Sequence, residues 1–272
     1  MKRGAFLGCT VFLLLFVGCV VSAGDRVPHA AITISNDYEF TVENGVCSGS
    51  GTLDDPYVIS DWSIDAGYDD YGIRIHGTTR AFRIENVEIS GAAKSAIYLS
   101  YVSNAEIVDS LFIGNWTGIT FNFATYNQID KCTFESNTDG IHFYFSTENQ
   151  IMNCRFEPND TAIWLDASDQ NQILNNYIAE AHMAIYLNFG SEENLIAGNA
   201  FVRNLHHAHT DDPNFWDTGE EGNYWGGFEA IDADLDGIWD SPYEITSDGD
   251  KDNFPLVYHP LVPAPPPASC DI

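Results

Sequence analysis

A 22-residue period governs this chain and leaves few folds open to it. Segments beginning at Gly72, Ala96, Gly118, Gly140, Ala162 and Ala184 read GIRIHG, AIYLSY, GITFNF, GIHFYF, AIWLDA and AIYLNF. The first spacing is 24 residues and the next four are 22. Each segment opens on a small residue, then Ile, a variable residue and a large apolar one, which is the alternation of a strand with one buried face. Ten residues after the first Ile stand Ile107, Ile129, Ile151, Ile173 and Leu195, and fifteen after it Phe112, Phe134, Phe156, Ile178 and Ala200. Asn127, Asn149 and Asn171 share a further column, as do Asn115, Asn137 and Asn159.

Helical spacing does not give alternation by two inside short runs that recur every 22 residues. A right-handed parallel β-helix does: an all-β solenoid of three short strands per coil, in which like residues of successive coils stack ~4.8 Å apart. About six coils predict a rod roughly 30 Å long. Asn suits the turns, because it tolerates left-handed backbone and its amide can bond the next Asn along the column. Cys132 and Cys154 share an inward column and read as stacked core thiols.

Residues 1–23 read as an export signal, with basic Lys2 and Arg3, an apolar stretch from Phe12 to Val17, and small residues at Val21-Ser22-Ala23. Phe16-Val17-Gly18-Cys19 also resembles a lipoprotein cleavage box, which makes Cys19 a candidate lipid anchor. The expected location is secreted, periplasmic or cell-surface, with no membrane span after the signal. The organisation reads as an N-terminal cap over 24–66, coils over 67–205, a C-terminal cap over 206–260 and a Pro-rich tail over 261–272. Loss of Lys2 and Arg3 takes the net charge from −29 to −31. Such a surface excludes nucleic acid and anionic lipid as partners, and suits divalent cations.

The coil pattern fades after Asn204 and the composition turns to Asp, Gly and Trp. Gly222-Asn223-Tyr224-Trp225-Gly226-Gly227-Phe228 offers aromatic residues to plug the last coil. In the run that follows, Asp232, Asp234, Asp236 and Asp240 stand at positions 1, 3, 5 and 9 with Gly237 at position 6, the oxygen spacing of a calcium loop. Tyr243 stands where an EF-hand has its bidentate Glu, so the loop is not an EF-hand. Asp248, Asp250 and Asp252 repeat the alternation and are candidate ligands of a second calcium.

The combination of GSGTLDDPYVI, the repeated coils with Asn-rich turns, and the closing GNYWGGF, DADLDGIWDSPYEI and DGDKDNFPL resembles the NosD-like, carbohydrate-associated β-helix proteins. The likeness covers nearly all of the chain after the signal, and the closing motif is its specific part. It implies a right-handed β-helix, a secreted or surface location and, from the founding members, copper delivery to a periplasmic reductase.

Three chemistries are open to such a rod. Ser136-Asn137-Thr138-Asp139-Gly140-Ile141-His142 resembles the NTDG motif of polygalacturonases, which implies Asp139, Asp160 and His182 as a hydrolytic set. The chain departs from that pattern: Asp160-Thr161 replaces a paired Asp-Asp, His182 is one position displaced, and no Arg-x-Lys follows. A lyase is disfavoured, because Lys94, Lys131, Arg155 and Arg203 form no column. His206, His207 and His209 are candidate copper ligands. Tyr98, Trp164 and Tyr186 share one outward column, with Thr120 and His142 between them, and offer flat faces to the sugar rings of a polysaccharide. The leading expectation is a non-catalytic, calcium-stiffened module that binds glycan or serves as envelope material. A polysaccharide hydrolase or lyase and a periplasmic copper-handling protein are the alternatives. Asn115-Trp116-Thr117 and Asn159-Asp160-Thr161 are acceptor sequons.

Overall fold

The structure is a computed structural model that describes residues 26–245 and 249–262. The signal region with Cys19, Asp248 and the residues from 263 onward lie outside the described residues. No helix among the described residues is long and apolar enough to cross a membrane.

The chain winds into a parallel β-helix of three sheets, one with nine strands and two with eight. Eight intervals of ~4.8 Å make a rod of about 38 Å, longer than the six coils expected. The extra rungs come from residues with no 22-residue period. Val27–Pro28 pairs in parallel with Trp62–Asp65, and Ile32–Ile34 with Tyr71–His76. Among the described residues, the one antiparallel pairing within the three sheets is Val46–Ser48 against Tyr57–Ser60.

The register confirms the columns. Ile97, Ile119, Ile141, Ile163 and Ile185 are successive partners in one sheet, and Ile107, Ile129, Ile151 and Ile173 in another. All are fully buried. The rings of Phe112, Phe134 and Phe156 stack with centroids 5.1 and 4.6 Å apart. Each such side chain removes apolar surface worth about 1.5–3 kcal/mol from water. The small residue that opens each repeat is required by close approach. A Cβ on Gly140 would lie 2.5 Å from the Ala162 carbonyl oxygen and 2.8 Å from the Phe156 ring.

The last coil corrects the sequence register. Ile173 pairs with Ile196 and Ile178 with Phe201, so the inward columns continue at Ile196 and Phe201 and not at Leu195 and Ala200. The cause is one inserted residue. Asp166 pairs with Asn188, 22 positions on, whereas the Ser168 N–H donates to Ser191 Oγ, 23 positions on. The extra residue is taken up at the corner between Asn188 and Ser191.

The asparagine columns are buried ladders. Asn127, Asn149, Asn171 and Asn194 each pass backbone N–H and Nδ2 donors to the Oδ1 of the next, the series ending on Asn214. These residues do not take the left-handed corners. Those fall to residues such as Phe123, Tyr126, Lys131 and Glu148. Cys132 and Cys154 are free, buried thiols within a second ladder: Cys132 N–H donates to Cys154 Sγ at 3.4 Å, and Cys154 N–H to Asn176 Oδ1 at 2.8 Å. The sequon residues Asn115 and Asn159 belong to the third ladder. Both are buried, and Asn115 Nδ2 donates to Ile89 O and Asn137 Oδ1. Neither presents its amide to solvent in the folded chain.

The C-terminal end is closed by aromatic residues. Trp225, which is buried, stacks on Phe201 at 4.4 Å and on Tyr243 at 4.1 Å, with Trp216 beside it.

Candidate functional site

The outer face of the sheet containing Ser95–Ser100, Thr117–Asn122, Asn137–Tyr144 and Asn159–Asp166 carries a groove of about 670 Å³. Strand alternation places it there. Ile97, Ile119, Ile141 and Ile163 point inward, so Tyr98, Thr120, His142 and Trp164 point out. Tyr71 and Tyr98 form one wall with their rings 5.0 Å apart; Trp116, Asp139, Asp160 and Trp164 line it further along.

Tyr98 and Trp164 of the expected sugar-binding column therefore reach the groove. Tyr186 is not among its lining residues. The column is also packed more tightly than strand spacing alone suggests. His142 lies between Tyr144 and Trp164, at 3.9 and 4.3 Å, while Trp164 meets Tyr186 edge-on and Tyr186 stacks on His209 at 4.8 Å. The Trp164 indole N–H donates to Asp166 Oδ1 at 2.7 Å, and His142 Nε2 lies 3.2 Å from Asp166 Oδ2. These contacts fix the rings as a rigid floor. The open aromatic face belongs to Trp116, which is 60% exposed. Sequence reasoning missed Trp116 because it precedes the repeat's small residue by two positions and has no aromatic counterpart in its column.

Asp139 and Asp160 sit on neighbouring coils and both line the groove. Burial, and then the charge of Asp160, raise the Asp139 carboxyl to about 6, against the pull of a hydrogen bond with Thr117. Burial lowers His142, opposed by its bond to Asp166. His182, the third member of the expected hydrolytic set, is not brought to the groove. It lies beyond Asp160 along the rod, where its ring meets His206 edge-on at 5.6 Å. The cation at the groove, Lys94, is paired with Asp70 at 2.7 Å.

The three histidines of the last coil strand, His206–Thr210, face different surroundings. His207 packs near Phe201 and Trp225, with Nε2 3.1 Å from Gly226 O, and burial lowers its pKa. His209 stacks on Tyr186 and lies 3.1 Å from Asp211 Oδ1. His206 faces His182. The three rings therefore do not converge: one meets His182, one turns toward Phe201 and Trp225, and one stacks on Tyr186.

The acidic loops divide in two. Asp232, Asp234 and Asp236 each place an oxygen within 4.8 Å of the others, and Gly237 takes φ +90° at the turn. Asp232 Oδ1 is shielded from solvent and meets no protein donor among the described residues. The Asp240 carboxylate bends back to accept the Ala233 N–H at 3.1 Å. Asp250 and Asp252 are placed elsewhere, each at the end of an asparagine ladder. Asp250 Oδ2 accepts from the Asn214 N–H, and Asp252 Oδ2 from the Asn223 N–H and the Trp225 indole. A carboxylate, which accepts and never donates, terminates a ladder that runs by donation.

The sequence profile of the family described as "Periplasmic copper-binding protein (NosD)" matches residues 20–230. No curated protein sequence matches the chain. Solved structures with a related course include pectate lyase Pel9A, at 14% identity over 72% of this chain and 70% of that one, with a TM-score of 0.42. Another is the A-module of the Azotobacter vinelandii mannuronan C-5 epimerase AlgE4, at 10% identity over 77% of this chain and 91% of that one, with a TM-score of 0.24.

Proposed function

The chain belongs to the NosD family, and on that premise we propose that it is an exported, non-catalytic module that binds polysaccharide in the groove between Tyr98 and Trp164. One observation carries the reading: an open cleft of about 670 Å³ on a rigid sheet, with the exposed Trp116 and the half-buried Tyr98 and Trp164 set among carboxylates. Apolar ring faces and hydrogen-bond acceptors side by side match the two kinds of surface a sugar presents. Titration with a polysaccharide panel tests it. Trp116→Ala and Trp164→Ala should each weaken binding, and equal affinity in both variants removes the groove from the account.

Hydrolysis is the second reading, favoured by Asp139. A carboxyl raised to about 6 beside a second carboxylate is the acid–base pairing that glycoside cleavage uses. Release of reducing ends by the wild type, abolished in Asp139→Asn, would convert the module into an enzyme.

Two metals enter the proposal. Calcium at Asp232, Asp234 and Asp236 would offset two of three adjacent negative charges and give Asp232 Oδ1 a partner. For copper, which the family description names, His206, His207 and His209 do not fit as one donor set. The His182–His206 pair is the place where two imidazoles adjoin, and unchanged copper affinity in a His182→Ala/His206→Ala variant would dismiss it.

A further inference from the structure

A second stack of rings runs beside the groove, at the corner that follows each strand of the same sheet. Tyr101, Phe123 and Phe145 occupy it in successive coils, with centroids 5.0 Å apart and planes within 5° and 7° of parallel. The next coil puts Ala167 at this position and the one after puts Phe189, all with φ between 46° and 52°. The neighbouring left-handed corner is mostly polar, with Asn104, Tyr126, Glu148, Gln170 and Glu193. Here the rings stand in solvent, Phe145 at 55% and Phe189 at 75% exposure, and contribute nothing to the core.

Phe145 and Phe189 are two coils apart, about 9.6 Å at ~4.8 Å per coil. A ring laid over Ala167 would therefore stand about 5 Å from each, the spacing the chain already uses between its own rings. We propose that this slot binds one sugar ring of a neutral polysaccharide, with Phe145 and Phe189 against its two faces and Ala167 as the floor. The proposal rests on the groove as a polysaccharide site. Tyr144 lines that groove and precedes Phe145, so one glycan chain spans both places. Charge selects the class of sugar. Asp166 precedes Ala167, Asp169 follows it by two residues and holds the Glu192 N–H, and Asp212 holds the Gly190 N–H next to Phe189. A uronate would meet like charge at the slot and in the groove, whereas neutral hydroxyls donate to those carboxylates.

The test is titration of the full chain with neutral glucan, mannan and galactan, and with polygalacturonate. The wild type is expected to bind at least one neutral polymer and not the polyuronate. Ala167→Phe fills the slot with a ring the stack accommodates. It should weaken binding about tenfold while melting no lower than the wild type, and Phe189→Ala should weaken binding similarly. Unchanged affinity in both variants overturns the slot, as does binding to no neutral polymer or tighter binding of polygalacturonate. Loss in Trp116→Ala and Trp164→Ala alone would leave the groove standing without the slot. Loss in Ala167→Phe and Phe189→Ala alone would leave the slot and remove the groove.

Discussion

Asp252 Oδ2 lies 2.7 Å from the backbone nitrogen of Asn223, so the last rung of a buried asparagine ladder ends on a carboxylate. The same oxygen accepts the Trp225 indole N–H at 2.8 Å, and Oδ1 accepts the Phe254 N–H at 2.9 Å. A residue spaced like a calcium ligand thus closes the rod and ties its aromatic plug to the ladder.

Removing that closure should be costly. Asp252→Ala leaves buried donors on Asn223 and Trp225 without partners, and a loss of about 2–4 kcal/mol is expected in urea unfolding. A change below about 0.5 kcal/mol would show that the ladder end is held by something else.

Calcium should act at the other loop. Chelation is expected to lower the melting temperature, the stabilisation at 100-fold excess over Kd being about 2.7 kcal/mol. Asp232→Asn should abolish this response. A chelator effect that persists in Asp232→Asn would assign the ion to another place.

Asp139 sets a pH dependence. Its carboxyl is raised from 3.8 to about 6, so the fold is favoured by the protonated form. That contribution is complete below the unfolded value and is lost as pH rises through about 6. Asp139→Asn carries no charge at any pH. Its melting temperature should match the wild type near pH 4, exceed it progressively up to about pH 7, and then run parallel. Parallel curves throughout would mean that Asp139 titrates normally.

The small residue of each repeat gives a packing test. Gly140→Val drives a side chain into the Ala162 carbonyl and the Phe156 ring, and should cost about 1–3 kcal/mol or more. At Ala162 the chain already tolerates a Cβ, so Ala162→Gly is expected to be far milder. Equal losses at the two positions would contradict the close approach.

The coils were legible because each inward residue must match its neighbours one coil away, which writes the columns of Ile119 and Phe134 directly into the sequence. The first rungs were not, because Ile32 finds its partner in Ile73 across irregular chain that carries no period. The groove was half legible. Tyr98 and Trp164 followed from alternation, and Asp139 and Asp160 from the likeness to the NTDG motif, but Trp116 and the place of His182 outside the groove depend on how the corners turn. The course of the histidines was not legible either, because a clustered run invites a loop, and residues 206–210 form a strand. Asp250 and Asp252 share the spacing of Asp232 and Asp234, and that spacing does not say which carboxylates accept the N–H groups at a ladder end.

The corner between Asn188 and Ser191 has already absorbed one residue without disturbing the columns on either side. Gly190, at φ +82° with open space where a Cβ would sit, marks the point where length is unconstrained. The rod therefore has a natural splice site: a guest peptide inserted there would ride outside the solenoid, while the same graft at Asn171 would sever a ladder and unzip the coils around it.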